Sequence, residues 1–362
     1  MTDKLETLEK ENLFSDDSND VPPPDIVAYN ELRSCADLFR MHEQKIIEIH
    51  PDFQRDVVWN GPAQTRFIDS LTKQLPIPSM CFALDYKQQK WIVIDGLQRI
   101  SSIIKFLKGG DWTLSSLEDV DPNLGGKSVA EIKQSDSPLH YFYTRVENLS
   151  IPITVLRCDF SKKSHLEYLF TIFHRLNTGG MKLNNQEIRN CIYSGHFNKL
   201  LKELDQLTAW RRTNKMKADE NQRFIKQELI LRFFAFTDEH KKYTGHLAKF
   251  LNDYMHQHQN ADEPFVVSKR ALFTETADCI FNKVYRGKPP GNISLTIMEA
   301  TLVGVGKNIA ALKTLDASEV EARYKKMISQ KEFSEASLTE GLSKKQKVID
   351  RLDKSIGIFS GQ

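Results

Sequence analysis

The sequence predicts an α+β fold, with a small mixed sheet in the N-terminal part of the chain and a mostly helical C-terminal domain. Before residue 160, short runs rich in β-branched and aromatic residues are bounded by turn residues: Met80 to Leu84, Trp91 to Ile94 and Ile151 to Leu156. After residue 160, apolar residues recur at spacings of three and four, the period of amphipathic helices. A chain of 362 residues is also long enough for two packed units.

These patterns divide the chain into four segments. Residues 1–26 are acidic, lack periodicity and end in three prolines, so we expect a disordered acidic arm. Residues 27–160 are expected to form the sheet-containing domain, 161–316 a helical domain and 317–362 the C-terminal helices. The periodicity predicts a further short strand at Ile46 to Ile49 and helices at Leu32 to Met41, Gln64 to Lys73, Leu166 to Leu176, Phe224 to Phe236, Leu247 to Met255 and Leu295 to Leu312.

Charge and cysteine content restrict the class of protein. The formal net charge is +2, but residues 1–26 carry eight acidic residues against two lysines, so the remainder carries +8. This excess permits contact with phosphates or DNA, although an ordinary solvated surface would show it too. The five cysteines form no C-x-x-C pair, which favours reduced, buried thiols. No apolar run is long enough to cross a membrane and no secretory signal is present, so we expect a cytoplasmic protein.

The strongest local signal for a functional site is the pentapeptide Asp95-Gly96-Leu97-Gln98-Arg99. It follows the apolar strand Trp91 to Ile94 and opens a helix with an inward apolar stripe, so it predicts a strand, a tight turn and a helix N-terminus. Such a terminus attracts anions, Gly96 admits a ligand close to the backbone, and Arg99 offers a planar donor fork for phosphate. The alternative interpretation is that Asp95 only caps the helix and Arg99 forms a surface ion pair.

Two further clusters contain arginines. In residues 51–59, Phe53 and Trp59 are expected to pin a loop from which Gln54 and Arg55 face outward. An ordinary surface loop is the alternative interpretation of this cluster.

In the third cluster, a helix carrying Arg175 ends in Asn177-Thr178-Gly179-Gly180. A capping box of Asn184 and Glu187 then starts a helix that carries Arg189. The glycines alone are equally consistent with simple helix caps.

Several other chemistries are not indicated. A P-loop is excluded because Thr301 stands where its first glycine is required before Gly306-Lys307. The histidines between residues 240 and 258 lack ligand partners at zinc spacing, and no serine elbow of the G-x-S-x-G type occurs.

The three clusters together resemble a known family, the GmrSD-type restriction-endonuclease N-terminal domains. The shared order is Phe-Gln-Arg, a Trp, Pro-Ile-Pro, Asp-Gly-x-Gln-Arg, and later Arg-Leu-Asn-Thr-Gly-Gly followed by Glu-Ile-Arg. The resemblance implies a ParB/sulfiredoxin-like core with a DGQQR box that binds or hydrolyses nucleoside triphosphates, in prokaryotic defence against phage. Asp95, Gly96, Gln98 and Arg99 match the box, while Leu97 replaces its first glutamine.

The resemblance implies a set of site residues and partners. Asp95, Gln98 and Arg99 would be catalytic, with Asp95 as a Mg²⁺ ligand. The nucleotide-binding set would be Gln54, Arg55, Gly96, Arg99, Ser101, Arg175, Asn177, Gly179 and Arg189. DNA and a partner nuclease or toxin are further expected partners. Because no His-rich nuclease signature follows residue 260, we expect the stand-alone form of the family.

The sequence leaves three functions open. The chain could hydrolyse nucleoside triphosphate, it could bind the nucleotide only as a regulatory signal for a partner nuclease or toxin, or its ParB-like core could itself cleave DNA.

Overall fold

The computed structural model describes residues 3–13, 15, 22–49, 59–176, 183–213, 225–291, 293–339 and 341–362. The chain divides into two compact units, which we call the sheet unit (Asp20–Gly179) and the helical unit (Met1–Asn19 with Gly180–Gln362). The α+β class predicted from the sequence, a small mixed sheet and a mostly helical region, is confirmed.

The first helix corrects the prediction of a disordered arm. Helix α1 (Asp3–Leu13) belongs to the helical unit and buries Leu5, Glu9 and Leu13, which share one face at a spacing of four. An acid in the middle of the buried stripe weakens the amphipathic signal, so the sequence pattern indicated disorder where the structure has a helix.

The sheet unit is built on one mixed sheet. Five strands of the described residues form it in the order β1-β5-β3-β4-β2: β1 (Val27–Ser34), β2 (Ile47–Glu48), β3 (Met80–Asp85), β4 (Lys90–Asp95) and β5 (Ser150–Cys158). Strand β5 is parallel to β3 and antiparallel to β1, while β4 is antiparallel to β3 and parallel to β2. The β-rich runs that predicted β3, β4 and β5 are therefore confirmed.

Helices cover this sheet. They are α2 (Cys35–Glu43), α3 (Gly61–Thr72), α4 (Leu97–Lys108), α5 (Val129–Lys133), α6 (His140–Asn148) and α7 (Lys163–Leu176). Alternate sheet residues, among them Phe82, Val93 and Val155, enter one apolar core with α2, α3, α4 and α6. The predicted helix from Leu32 is wrong at its start, since β1 continues to Ser34 and pairs with β5.

The boundary between the two units lies later than the predicted one at residue 160. Helix α7 packs against β4, so it belongs to the sheet unit although its sequence has the same periodicity as the helices that follow.

The remaining helices form the helical unit. They are α8 (Asn185–Ile192), α9 (His196–Leu204), α10 (Thr208–Thr213), α11 (Ile225–Glu239), α12 (Leu247–His258), α13 (Glu263–Cys279), α14 (Leu295–Lys307), α15 (Ile309–Leu312), α16 (Ala317–Ile328), α17 (Glu335–Thr339) and α18 (Lys345–Ser360). The nearly wholly buried α14 packs against α11, α13 and α18 and forms the centre of this unit.

Candidate functional site

The candidate site is the junction of β4 and α4. Strand β4 ends at Asp95, Gly96 turns the chain, and α4 begins at Leu97, as the sequence predicts. Gly96 has φ 97° and ψ 15°, a left-handed conformation that costs other residues free energy. A Cβ atom at this position would also lie 2.6 Å from Cγ of Met80. The turn therefore requires glycine on both backbone and packing grounds.

The N-terminus of α4 lacks a side-chain cap. The amide of Ile100 donates to the carbonyl of Gly96 at 2.9 Å, which closes the first helical turn. Within the described residues no side chain caps that turn, because its N-cap residue is a glycine. Asp95 therefore does not cap the helix, contrary to one of the alternatives left open by the sequence. The backbone amides before Ile100 and the positive end of the helix dipole form a local anion-binding geometry.

Arg99 is held within the junction. Its Nη2 donates to Oδ2 of Asp95 at 2.7 Å, its Nη1 donates to the carbonyl of Pro78, and both nitrogens lie 3.5 Å from the carbonyl of Ser79. The Arg99 side chain is 15% exposed and that of Asp95 is 39% exposed. Arg99 thus ties the loop before β3 to the start of α4, while Asp95 presents its carboxylate to solvent.

Gln98 links the junction to the end of the second cluster. Its Oε1 accepts the backbone N–H of Trp59 at 3.3 Å, and the Trp59 ring packs edge-on against Phe67 with centroids 5.3 Å apart. Trp59 is thus packed against the first helix after this cluster. Gln54 and Arg55 lie outside the described residues.

Two groups beside the junction differ in what they can contribute. Cys81 faces Asp95 across the strand pair, and burial, together with the charge of Asp95, raises the pKa of its thiol to about 12. Cys81 therefore stays protonated and is a poor nucleophile. The hydroxyl oxygen of Ser101, on α4, is buried without a hydrogen-bond partner.

A row of polar groups beside Arg99 was not predicted from the sequence. Oγ1 of Thr154 donates to Oδ1 of Asn30 at 2.9 Å and lies 3.1 Å from Oγ of Ser79, whose carbonyl faces Arg99. These residues come from β1, β5 and the loop before β3. Each is an ordinary polar residue in its own segment, so only the sheet pairing reveals the row.

The comparison with known families fits this geometry. Residues 35–194 match the family described as GmrSD restriction endonuclease, N-terminal domain. These residues are similar to that domain, and we call them the GmrSD-type domain. The similarity suggests a component of a restriction-type defence system. No curated protein and no solved structure matches the chain.

Arg175 lies at the end of α7 in the GmrSD-type domain. Helix α7 follows β5 and packs on β4, which runs opposite to β5. Arg175 is exposed in the last turn of this helix. Asn177 and Gly179 lie outside the described residues.

Among the predicted phosphate ligands that the structure describes, Arg189 has a different place. It lies in the helical unit, is 1% exposed, and its Nη1 donates to Glu228 at 2.9 Å and its Nε to Asn252 at 2.8 Å. Burial acts to raise the pKa of Glu228, but Arg232 and Arg189 outweigh it and hold that pKa below its usual range. The predicted phosphate role of Arg189 is wrong because its guanidinium is buried in this ion pair. The capping box of Asn184 and Glu187 on the same helix is confirmed.

At the β4–α4 junction, Asp95 is the residue that could serve as a metal ligand. Among the described residues, no three His, Cys, Asp or Glu side chains converge as metal ligands. Asp95 supplies a single carboxylate, which suits a Mg²⁺ ion that takes most of its other ligands from water and substrate phosphates. None of the described helices has the length and apolar character to cross a membrane.

Proposed function

We propose that the chain binds a nucleoside triphosphate at the β4–α4 junction and hydrolyses it as part of a restriction-type defence system. One observation carries the proposal: a helix N-terminus whose N-cap residue is glycine, with no side-chain cap from that residue, meets a partly exposed carboxylate at a turn where only glycine fits. The phosphates would accept hydrogen bonds from the first-turn amides of α4, where the helix dipole favours negative charge.

Within this proposal, Asp95 and Arg99 change partners when nucleotide binds. Phosphate oxygens compete with the Asp95 carboxylate for the Arg99 guanidinium, a fork suited to either group. The released carboxylate would then be able to hold a Mg²⁺ ion or to align the attacking water. A bound Mg²⁺ would neutralise charge on the phosphates. Gln98, close to the same turn, would donate or accept one further hydrogen bond.

A binding-only role is the second candidate. The 2.7 Å ion pair between Asp95 and Arg99 engages both predicted catalytic groups, and this observation favours a nucleotide sensor that switches a partner nuclease or toxin. Nucleotide binding without phosphate release would select this alternative.

Thermal-shift titration with nucleoside triphosphates and Mg²⁺, followed by phosphate-release assays, tests the proposal. We expect Asp95→Ala to abolish phosphate release and Arg99→Ala to weaken both binding and release. The matched controls are Asp119→Ala and Arg66→Ala, which break an exposed 2.6 Å ion pair in the same unit. Release by Asp95→Ala at the wild-type rate would remove the junction as the catalytic site.

DNA contact is a further proposal that rests on the family and on the net charge of +8 outside residues 1–26. Binding to phosphate backbone releases counterions, so we expect the affinity for DNA to fall steeply with salt concentration. A flat salt response would contradict this part of the proposal.

A further inference from the structure

A second helix N-terminus, that of α14, already binds an anion. This anion is a carboxylate of the protein itself. The carboxylate of Glu9 on α1 accepts hydrogen bonds from the Ser294 hydroxyl at 2.6 Å and the Thr296 hydroxyl at 2.7 Å. It also accepts the amides of Leu295 at 3.1 Å and Thr296 at 3.0 Å. The start of α14 therefore presents four donors to one carboxylate that is 5% exposed.

This carboxylate borders a small polar cavity. The cavity has a free volume of ≈ 20 Å³, and Glu9, Thr296, Arg232, Glu299 and Arg351 are among the residues that line it. Such a volume holds about one water molecule. The side chain of Arg351 is 4% exposed and lies 3.7 Å from Glu299, and its Nε has no hydrogen-bond partner among the described residues. This buried guanidinium and the helix terminus thus line the same cavity.

Ion pairs among the described residues lie around this cavity, and Glu9 adds one more acid beside them. A chain of ion pairs runs from Arg189 through Glu228, Arg232 and Glu299 to Arg351, with three cations against two anions. Glu9 brings the third anion from a distant part of the sequence. Because an uncompensated buried charge is costly, these guanidinium groups favour an anion at the position of Glu9.

We propose that the N-terminus of α14, together with Arg351, is a second phosphate-binding site, and that Glu9 occupies it in this structure as an internal competitor. The ligand class is a small phosphate group, since the donors number four and the cavity is too small for a larger body. The phosphate enters when α1 moves away. Binding at this site is thereby coupled to release of α1, independently of the β4–α4 junction.

Isothermal titration of the full chain with inorganic phosphate, in phosphate-free buffer, tests this proposal. Glu9→Ala removes the competitor, and we expect phosphate to bind about ten-fold tighter or better than in wild type, as loss of a tethered competitor predicts. The control Glu11→Ala removes the same charge from an exposed position on the same helix and should leave phosphate binding unchanged. Adding Thr296→Val to Glu9→Ala should abolish the gain.

A second variant tests the proposal independently of whether Glu9→Ala folds. Leu5→Ala with Leu13→Ala weakens the docking of α1 but keeps Glu9, and it should also increase phosphate affinity. Equal binding by wild type, Glu9→Ala and the leucine variant would overturn the proposal. A gain that persists with Thr296→Val, or that Glu11→Ala reproduces, would overturn it as well.

Discussion

Two helix N-termini in this molecule differ in how the amide groups of their first turns are paired. At the start of α14, the buried carboxylate of Glu9 satisfies the amides and hydroxyls of the first turn. At the start of α4, a left-handed glycine precedes the helix and, in the described residues, no side-chain cap is present. The nearby acid Asp95 instead pairs with Arg99 and remains partly exposed. The comparison teaches that a helix terminus left uncapped beside solvent is a candidate ligand site, whereas a capped, buried one is structural until its cap leaves.

The buried ion pairs of the helical unit should give the largest effect on stability. Glu228→Gln leaves Arg189 and Arg232 without their shared carboxylate, and breaking a buried pair costs about 3–5 kcal/mol. We expect a corresponding loss in the free energy of unfolding, measured in urea. The control Glu203→Gln breaks an exposed pair with Arg270 and should cost about 1 kcal/mol or less. Equal losses in the two variants would contradict the burial argument.

The second largest effect on stability is expected at Gly96, the residue before α4. Gly96→Ala imposes both a strained backbone and a contact with Met80, so we expect the free energy of unfolding to fall by about 2–4 kcal/mol. Gly110 has a φ of 106°, but a Cβ atom there would meet nothing within 4 Å, so Gly110→Ala carries the backbone strain alone, about 1 kcal/mol. Urea unfolding of both variants measures the difference, and a Gly96→Ala loss no larger than that of Gly110→Ala would rule out the Met80 contact.

Ser294, the N-cap residue of α14, should have a smaller effect on stability. Ser294 accepts the amides of Thr296 and Ile297 and also donates to Glu9. Ser294→Ala should lower the free energy of unfolding by about 0.5–2 kcal/mol, as loss of an N-cap does. Ser318→Ala, on the exposed first turn of α16, is the control and should change stability less. If Glu9 alone satisfied the amides at the start of α14, Ser294→Ala and Ser318→Ala would lose the same free energy of unfolding in urea.

Acid titration probes a third acid, Asp25, which caps no helix. Hydrogen bonds from Lys162 and then His165 lower the pKa of Asp25 to about 2, from its ordinary 3.8. The folded-state pKa is depressed, so the stabilisation is complete above pH 4 and is lost as the pH falls toward 2. We expect Asp25→Asn to flatten this part of the stability curve and to leave the curve above pH 5 parallel to wild type. An unchanged acid limb would show that the two hydrogen bonds are not maintained in solution.

Local sequence patterns predicted much of the fold and the centre of the candidate site. The strand, glycine turn and helix at residues 91–108 were predictable because the deciding residues are adjacent in sequence. The capping box of Asn184 and Glu187 was predictable for the same reason.

Features that depend on two distant segments could not be predicted. The burial of Arg189 requires Glu228, the docking of α1 requires Ser294 and Thr296, and the polar row of Asn30 and Thr154 requires the pairing of β1 with β5. In each case one segment alone gives a weaker or opposite signal. An arginine after a glycine-rich turn indicated a ligand contact, and an acidic N-terminal segment indicated disorder.

The most direct test of the central claim is an amide-resolved NMR titration of the full chain with a nucleoside triphosphate and Mg²⁺. If the N-terminus of α4 binds phosphate, the largest chemical-shift changes will fall on the backbone amides of Gly96, Leu97, Gln98 and Arg99. Arg99→Ala will reduce these changes, while Arg66→Ala will not. Unchanged first-turn amides in a sample that binds the nucleotide would contradict the account.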